Sequence, residues 1–253
     1  MNFIRLDSVD STNNEARRLL DNGIELSDFT VIAAEAQTSG RGQRGNSWEC
    51  EEGKNLSFSI ICHPEFLRPA DQYVLSECIA LAVQRAMQSA IRSTSSPEKA
   101  DAITVKWPND IYYADHKISG TLIECDLMGK SVRNCIIGTG VNINQTRFLS
   151  DAPNPISLIN IIGDTTDRET ILQSILHEFI ALYDLIQQGR ASTIHSLYLD
   201  NLYRKDGLCY EFIDQNGPFT ALIHDVEPSG RMILQTADGI LHRYEFKEVK
   251  FVI

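Results

Sequence analysis

The sequence predicts an α+β fold: a mixed, largely antiparallel sheet packed with helices, followed by a small C-terminal SH3-like β-barrel. Three observations predict it. Between residues 103 and 143, four apolar-rich runs follow one another across short turns, which makes an antiparallel meander rather than repeated βαβ units. Residues 168–187 set Ile171, Leu172, Ile175, Leu176, Phe179, Leu182, Tyr183 and Ile186 on one helical face. Beyond Arg204-Lys205-Asp206-Gly207 the helical spacing gives way to short strands broken by Asn216-Gly217, Ser229-Gly230 and Asp238-Gly239. The expected division is a main domain at residues 1–204 and a small all-β domain at 205–253, the latter short enough to lean on the former for stability.

The other elements follow in order. Thr12 and Glu15 stand at capping-box spacing before a helix from about Asn13 to Leu20, which Asn22-Gly23 ends. Thr30 to Ala36 is apolar and β-branched at its start, a buried strand. Residues 37–54 are polar, glycine-rich and without periodicity, a long loop. Leu56, Phe58, Ile60 and Cys62 alternate as a second strand, and residues 70–91 read as a helix bearing Val74, Cys78, Leu81 and Val83. Residues 93–99 read as a loop. In the meander, Ile103, Val105 and Trp107 alternate; Ile111 to Tyr113, Ile118 to Leu127 and Val132 to Ile143 complete it. A last helix is expected over about Ser192 to Leu202.

Composition narrows the function classes. The 253 residues carry a formal charge of −11, from 34 acidic against 23 basic side chains. A nucleic-acid binder draws most of its affinity from neutralising phosphate, so this field argues against one. No apolar run reaches 18 residues and the first twenty lack a secretory signal, so neither a membrane span nor export is expected. Six scattered cysteines without a C-x-x-C pair fit reduced thiols in a cytoplasmic protein. No metal-ligand spacing is present, and metal ligands stay unassigned.

Any phosphate chemistry must therefore rest on a few concentrated cations. Gly40-Arg41-Gly42-Gln43-Arg44-Gly45 matches the dinucleotide fingerprint G-x-G-x-x-G literally, but it runs into Asn46-Ser47-Trp48-Glu49-Cys50, a poor helix, and lacks a βαβ unit around it. What survives is physical. The glycines let backbone approach a ligand closely, and Arg41 and Arg44 supply planar cationic forks for phosphate or carboxylate. Lys106-Trp107-Pro108-Asn109-Asp110 turns the chain sharply at a strand end and can aim a cation, an amide and a carboxylate into one space. Lys117 follows at the start of the next strand, with Gly120 leaving room beside the backbone. In Ile136 to Asn144, strand alternation puts Val141 and Ile143 on one face and Asn142 and Asn144 on the other. Ser11-Thr12-Asn13 reads equally well as a helix cap.

In this order and spacing, Ser11-Thr12-Asn13, Gln37 to Gly42, Trp48, Lys106 to Asp110, Lys117 with Gly120, and Gly138 to Asn144 resemble the biotin–protein ligase family, over residues 8–144. The resemblance implies a two-step reaction. Biotin carboxylate attacks the α-phosphorus of ATP, with Mg²⁺ on the phosphates, to give biotinyl-adenylate and pyrophosphate. A lysine of a biotin carboxyl carrier domain then displaces AMP. It further implies that Ser11, Thr12, Asn13, Gln37, Arg41, Gly42, Gln43 and Lys117 bind biotin. Gly40, Arg44, Trp48, Lys106, Asn109 and Asn142 would bind nucleotide, and Lys117, Arg41 and Asp110 would carry the catalysis.

Two departures from the family pattern stand out. Gln43 occupies a loop position where arginine is usual. The Ser-Thr-Asn motif begins at residue 11, so the N-terminal DNA-binding domain of repressor members is not expected. A lipoate–protein ligase, or a non-catalytic biotin- or nucleotide-binding module on the same scaffold, remains an alternative. Exposed sheet edges leave a homodimer open.

Overall fold

The computed structural model describes residues 1–94, 97–150 and 152–253, with the Arg44 side chain also outside the described set. In chain order the first elements are β1 (Phe3–Val9), α1 (Thr12–Asp21), β2 (Thr30–Gln37), β3 (Leu56–Cys62), α2 (Tyr73–Thr94) and α3 (Pro97–Asp101). The meander strands are β4 (Ile103–Lys106), β5 (Asp110–Tyr113), β6 (His116–Met128) and β7 (Ser131–Val141), followed by α4 (Leu158–Ile162), α5 (Arg168–Gln187) and α6 (Ala191–Asp200). The C-terminal strands are β8 (Tyr210–Asp214), β9 (Gly217–Val226), β10 (Met232–Thr236), β11 (Leu241–Tyr244) and β12 (Lys250–Phe251).

The main sheet runs β1-β2-β3-β7-β6-β5-β4. Only the β1–β2 pair is parallel, so the sheet is mixed and largely antiparallel as expected. Alternation along β3 decides how it is covered. Phe58 and Ile60 face α2 and α5, where Leu75, Ile79, Leu172, Ile175 and Phe179 complete the large core. Ile61 faces the other way, with Ile32, Ile136 and Ala16 of α1. Because α1 is only 10 residues long, it covers just part of that second face. The uncovered remainder is where the cavity lies.

Several local expectations are corrected. Strand β1 precedes the first helix and is absent from the sequence reading; it is half-exposed at a sheet edge, so its apolar signal is thin. The capping box does not form: Ser11 is the N-cap, makes no side-chain cap bond, and Glu15 pairs with Arg18 instead. Thr12 is drawn inward by Gln37, which outcompetes the local cap. Helix α2 begins at Tyr73 rather than residue 70, since Pro69 opens a separate 3-10 turn. It also runs to Thr94, and α3 starts at Pro97, so the loop expected at 93–99 is largely helical where described; residues 95 and 96 lie outside the described residues. Trp107 falls beyond β4, which stops at Lys106 before Pro108.

The C-terminal strands form a second antiparallel sheet, ordered β11-β10-β9-β8-β12. This is consistent with the SH3-like unit, but no pairing closes β11 onto β12 among the described residues, so the closed barrel is not formed there. Among those residues no helix is long and apolar enough to cross a membrane.

Candidate functional site

A cavity of about 570 Å³ opens over the uncovered face of the main sheet. Its floor is glycine. Gly120 of β6 pairs with Gly140 of β7, and Leu122 pairs with Gly138. A methyl group added at Gly140 would lie 2.3 Å from the Trp48 ring, and one at Gly138 would lie 2.0 Å from Asn13 Oδ1. Any other residue at these two positions would fill the space where the side chains of the loop and of α1 rest on the sheet.

One end of the cavity is a buried network of neutral polar groups. Gln37, at the end of β2, accepts the Thr12 backbone N–H at 2.9 Å. The Ser59 hydroxyl lies 2.7 Å from both Thr12 Oγ1 and Asn13 Oδ1. Asn13 Nδ2 donates to Glu124 at 2.8 Å and to the Leu122 carbonyl at 3.3 Å. Ser11, Thr12 and Asn13 are each buried to 3% exposure or less, so their polar atoms are held in place rather than solvated.

The residues from Gly40 to Trp48 fold back on themselves, with Trp48 N–H donating to Gly40 O at 2.9 Å and Gly42 N–H to Asn46 O at 2.7 Å. Arg41 reaches Glu124 at 2.9 Å and Asn14 at 2.7 Å. Glu124 thus ties Arg41 and Asn13 together. Gln43 Nε2 donates to Asn109 Oδ1 at 3.1 Å and to the Thr121 carbonyl at 3.0 Å. The Trp48 indole lies over the glycine floor, and its N–H, buried against Gly140, has no partner among the described residues.

The charged centre is an ion pair: Lys117 Nζ lies 2.7 Å from Asp110 Oδ2. Asp110 opens β5 after the Trp107-Pro108-Asn109 turn, and Lys117 lies near the start of the neighbouring β6, so the pair bridges two adjacent strands. The Lys117 ammonium also sits 5.8 Å from the Trp48 ring centre. Lys106 stands opposite Asp110 in the β4–β5 ladder, with its ammonium 4.5 Å over Phe251 and 5.1 Å over Tyr112. Burial pushes the Lys106 ammonium below its ordinary pKa; neighbouring Lys117 acts the same way and Asp110 opposes.

The structure brings together Ser11, Thr12, Asn13, Gln37, Arg41, Gly42, Gln43, Trp48, Asp110 and Lys117 in this one cavity. Gly40 and Asn109 stand just behind its wall, through Trp48 and Gln43 respectively. Lys106 lies beside it, and the side chain of Arg44 is outside the described residues. Asn142 is away from the opening: it is 2% exposed and its amide donates to the Ile156 carbonyl at 3.1 Å. Sequence reasoning missed Ser59, Glu124 and Phe246. The first two carried only strand alternation as a signal. Phe246, which lines the cavity from the turn between β11 and β12, carried none. Asp110 is the one carboxylate among the described lining residues, and no cluster of three or more His, Cys, Asp or Glu side chains fit to hold a metal occurs among the described residues.

Comparison with known proteins adds four findings. The family model described as "Biotin/lipoate A/B protein ligase family" matches residues 6–142. The "Bifunctional ligase/repressor BirA" of Escherichia coli (strain K12) is 30% identical over 93% of this chain and 70% of its own length. The "Biotin--[acetyl-CoA-carboxylase] ligase" of Paracoccus denitrificans is 28% identical over 69% of this chain and 70% of its own. Among solved structures, the biotin protein ligase from Aquifex aeolicus in complex with biotin and ATP superposes with a TM-score of 0.77 at 25% identity, covering 99% of both chains.

Proposed function

The chain belongs to the biotin/lipoate A/B protein ligase family, and from that premise we propose that its glycine-floored cavity is where biotin is adenylated and then passed to a carrier lysine. The enzyme is a biotin–protein ligase: it activates biotin with ATP to biotinyl-5′-AMP and transfers the biotinyl group to a lysine of a biotin carboxyl carrier domain. One observation supports this use of the cavity above the rest. A cation held by a carboxylate, Lys117 on Asp110 at 2.7 Å, faces the same space as a rigid neutral hydrogen-bonding end.

That polarity suits the substrates. Biotin has a neutral, hydrogen-bonding head and an anionic tail. The Thr12, Asn13 and Gln37 end takes the head, and Lys117 meets the carboxylate where it must approach the α-phosphate. Two anions repel in water; a fixed ammonium between them offsets that repulsion and stabilises the charge developing as the carboxylate oxygen bonds to phosphorus and pyrophosphate leaves. Mg²⁺ would arrive bound to ATP and would neutralise its phosphates; Asp110 is the one carboxylate among the described lining residues. The chain needs no covalent nucleophile, since alignment alone supplies roughly 7–11 kcal/mol.

In the second step the incoming lysine, with an ordinary pKa of about 10.4, must lose a proton before attacking the carbonyl of the mixed anhydride. Asp110 is the group assigned to orient it and take that proton. Asp110→Asn is therefore expected to slow transfer about 10²-fold more than it slows adenylation, the lower end of the usual size of general-base effects. Rapid-quench measurement of both steps checks this, and equal slowing removes Asp110 from the transfer step.

At the loop, a neutral Gln43 amide stands where the family resemblance leads one to expect arginine. Gln43→Arg adds a charge-assisted donor, worth roughly 1.5–3 kcal/mol, and is expected to slow biotinyl-adenylate release by about ten-fold or more. A filter-binding chase with labelled adenylate measures the off-rate; an unchanged rate refutes the idea. The reaction itself is tested by incubating the chain with biotin, ATP, Mg²⁺ and a biotin carboxyl carrier domain, then weighing the carrier. One added biotinyl group is expected. Labelling by lipoate in place of biotin, or no labelling, overturns the assignment.

A further inference from the structure

The turn that delivers Asp110 is anchored from behind by two tyrosines of distant helices. Tyr198 of α6 donates to the Pro108 carbonyl at 2.9 Å, Tyr73 of α2 approaches the same oxygen at 3.2 Å, and the two hydroxyls lie 2.8 Å apart. The two phenolic protons are shared among these three contacts, so the hydroxyl pair is held on one carbonyl, two residues before Asp110. Tyr198 is fully buried, and burial pushes both phenols well above their ordinary pKa, so they remain neutral donors. The far side of the turn is tied as well: Trp107 Nε1 donates to the Gly230 carbonyl in the β9–β10 turn at 2.8 Å.

Packing alone does not call for these hydroxyls. Phenylalanine at both positions would fill nearly the same volume without burying two polar groups that need partners. What the hydroxyls add is a fixed carbonyl. Neither tyrosine lines the cavity, and helices α2 and α6 contribute no group to it among the described residues.

We propose that Tyr73 and Tyr198 are positioning residues for the ligase reaction: by fixing the Pro108 carbonyl they set the aim of the Asp110 carboxylate on Lys117. This rests on the reading that the Asp110–Lys117 pair acts in the reaction. A displacement of the order of 1 Å at a reacting group costs about 10²-fold in rate, so even partial loosening of the turn is measurable.

The test is a mutant cycle on the full chain: Tyr198→Phe, Tyr73→Phe and the double variant, each with and without Asp110→Asn. Single-turnover adenylation and transfer are followed with biotin, ATP, Mg²⁺ and a carrier domain, and thermal melting reports the fold. The double Phe variant is expected to lose about ten-fold in rate with the KM for biotin within two-fold of the parent. Added to Asp110→Asn, it is expected to cause no further loss, because groups acting through one another are not additive.

Losses that multiply in the Asp110→Asn background would show the tyrosines acting independently of Asp110 and overturn the proposal. So would parental rates in the Phe variants, or a loss confined to KM. Each single Phe variant keeps one hydroxyl on Pro108, so a double variant that fails to fold still leaves two informative chains. Parental rates in Asp110→Asn alone would instead refute the role of the ion pair, and the proposal with it.

Discussion

Lys117→Ala lowers single-turnover biotinyl-adenylate formation by about 10²–10³-fold, the expected cost of one preorganised donor at a developing charge. That corresponds to roughly 2.7–4 kcal/mol of barrier. The size follows from the surroundings of the ammonium. It is 31% exposed, held by Asp110 at 2.7 Å, and crowded against Gly120, where an added methyl would stand 3.0 Å from both its Cε and Nζ. A cation so placed has little reorganisation left to undergo when the carboxylate and α-phosphate meet. The same crowding predicts that Lys117→Arg restores only part of the rate, since the longer planar fork cannot occupy a slot shaped for an ammonium. Rapid-quench detection of adenylate checks both variants. An unchanged rate in Lys117→Ala would remove the residue from the mechanism.

Gly138→Ala is expected to raise the KM and Kd for biotin by about 10–100-fold while leaving the carrier interaction alone. The new methyl would lie 2.0 Å from Asn13 Oδ1 and 2.7 Å from its Cγ, so the amide must leave its place. Asn13 cannot shift without loss, because Ser59, Glu124 and the Leu122 carbonyl hold it at 2.7, 2.8 and 3.3 Å. Each such bond contributes about 0.5–1.5 kcal/mol net; two lost together match the predicted range. Calorimetric titration with biotin measures it, and melting separates a local effect from unfolding. Parental affinity with Asn13 still in place would show that the polar end of the cavity does not take biotin.

The meander and helix α5 were legible because their signals are local. Periodicity along residues 103–143 and 168–187 needs no partner to be read, and the observed β6, β7 and α5 fall on those runs. Strand β1 was not legible, since an edge strand alternating Ile4 and Leu6 with charged neighbours looks like any polar segment until β2 pairs with it. Glu124 was passed over for a similar reason: nothing nearby in the chain marks it, and its partners Asn13 and Arg41 are 111 and 83 residues away. The capping box failed in the opposite sense. Its local pattern was correct, but a partner 25 residues away, Gln37, captured the Thr12 end of the helix.

Residue order was sufficient for the α+β class and for the family resemblance, which in turn implied the two-step chemistry, because motif spacing and strand and helix periods are properties of the linear chain. Folding alone decided that Glu124 bridges the loop to α1, that Asn142 turns inward, that Phe246 reaches the cavity from the turn between β11 and β12, and that the second sheet has no closing pair among the described residues. Those outcomes rest on hydrogen bonds and packing between segments distant in sequence, whose strength depends on shared burial, and burial exists only once the sheet has formed.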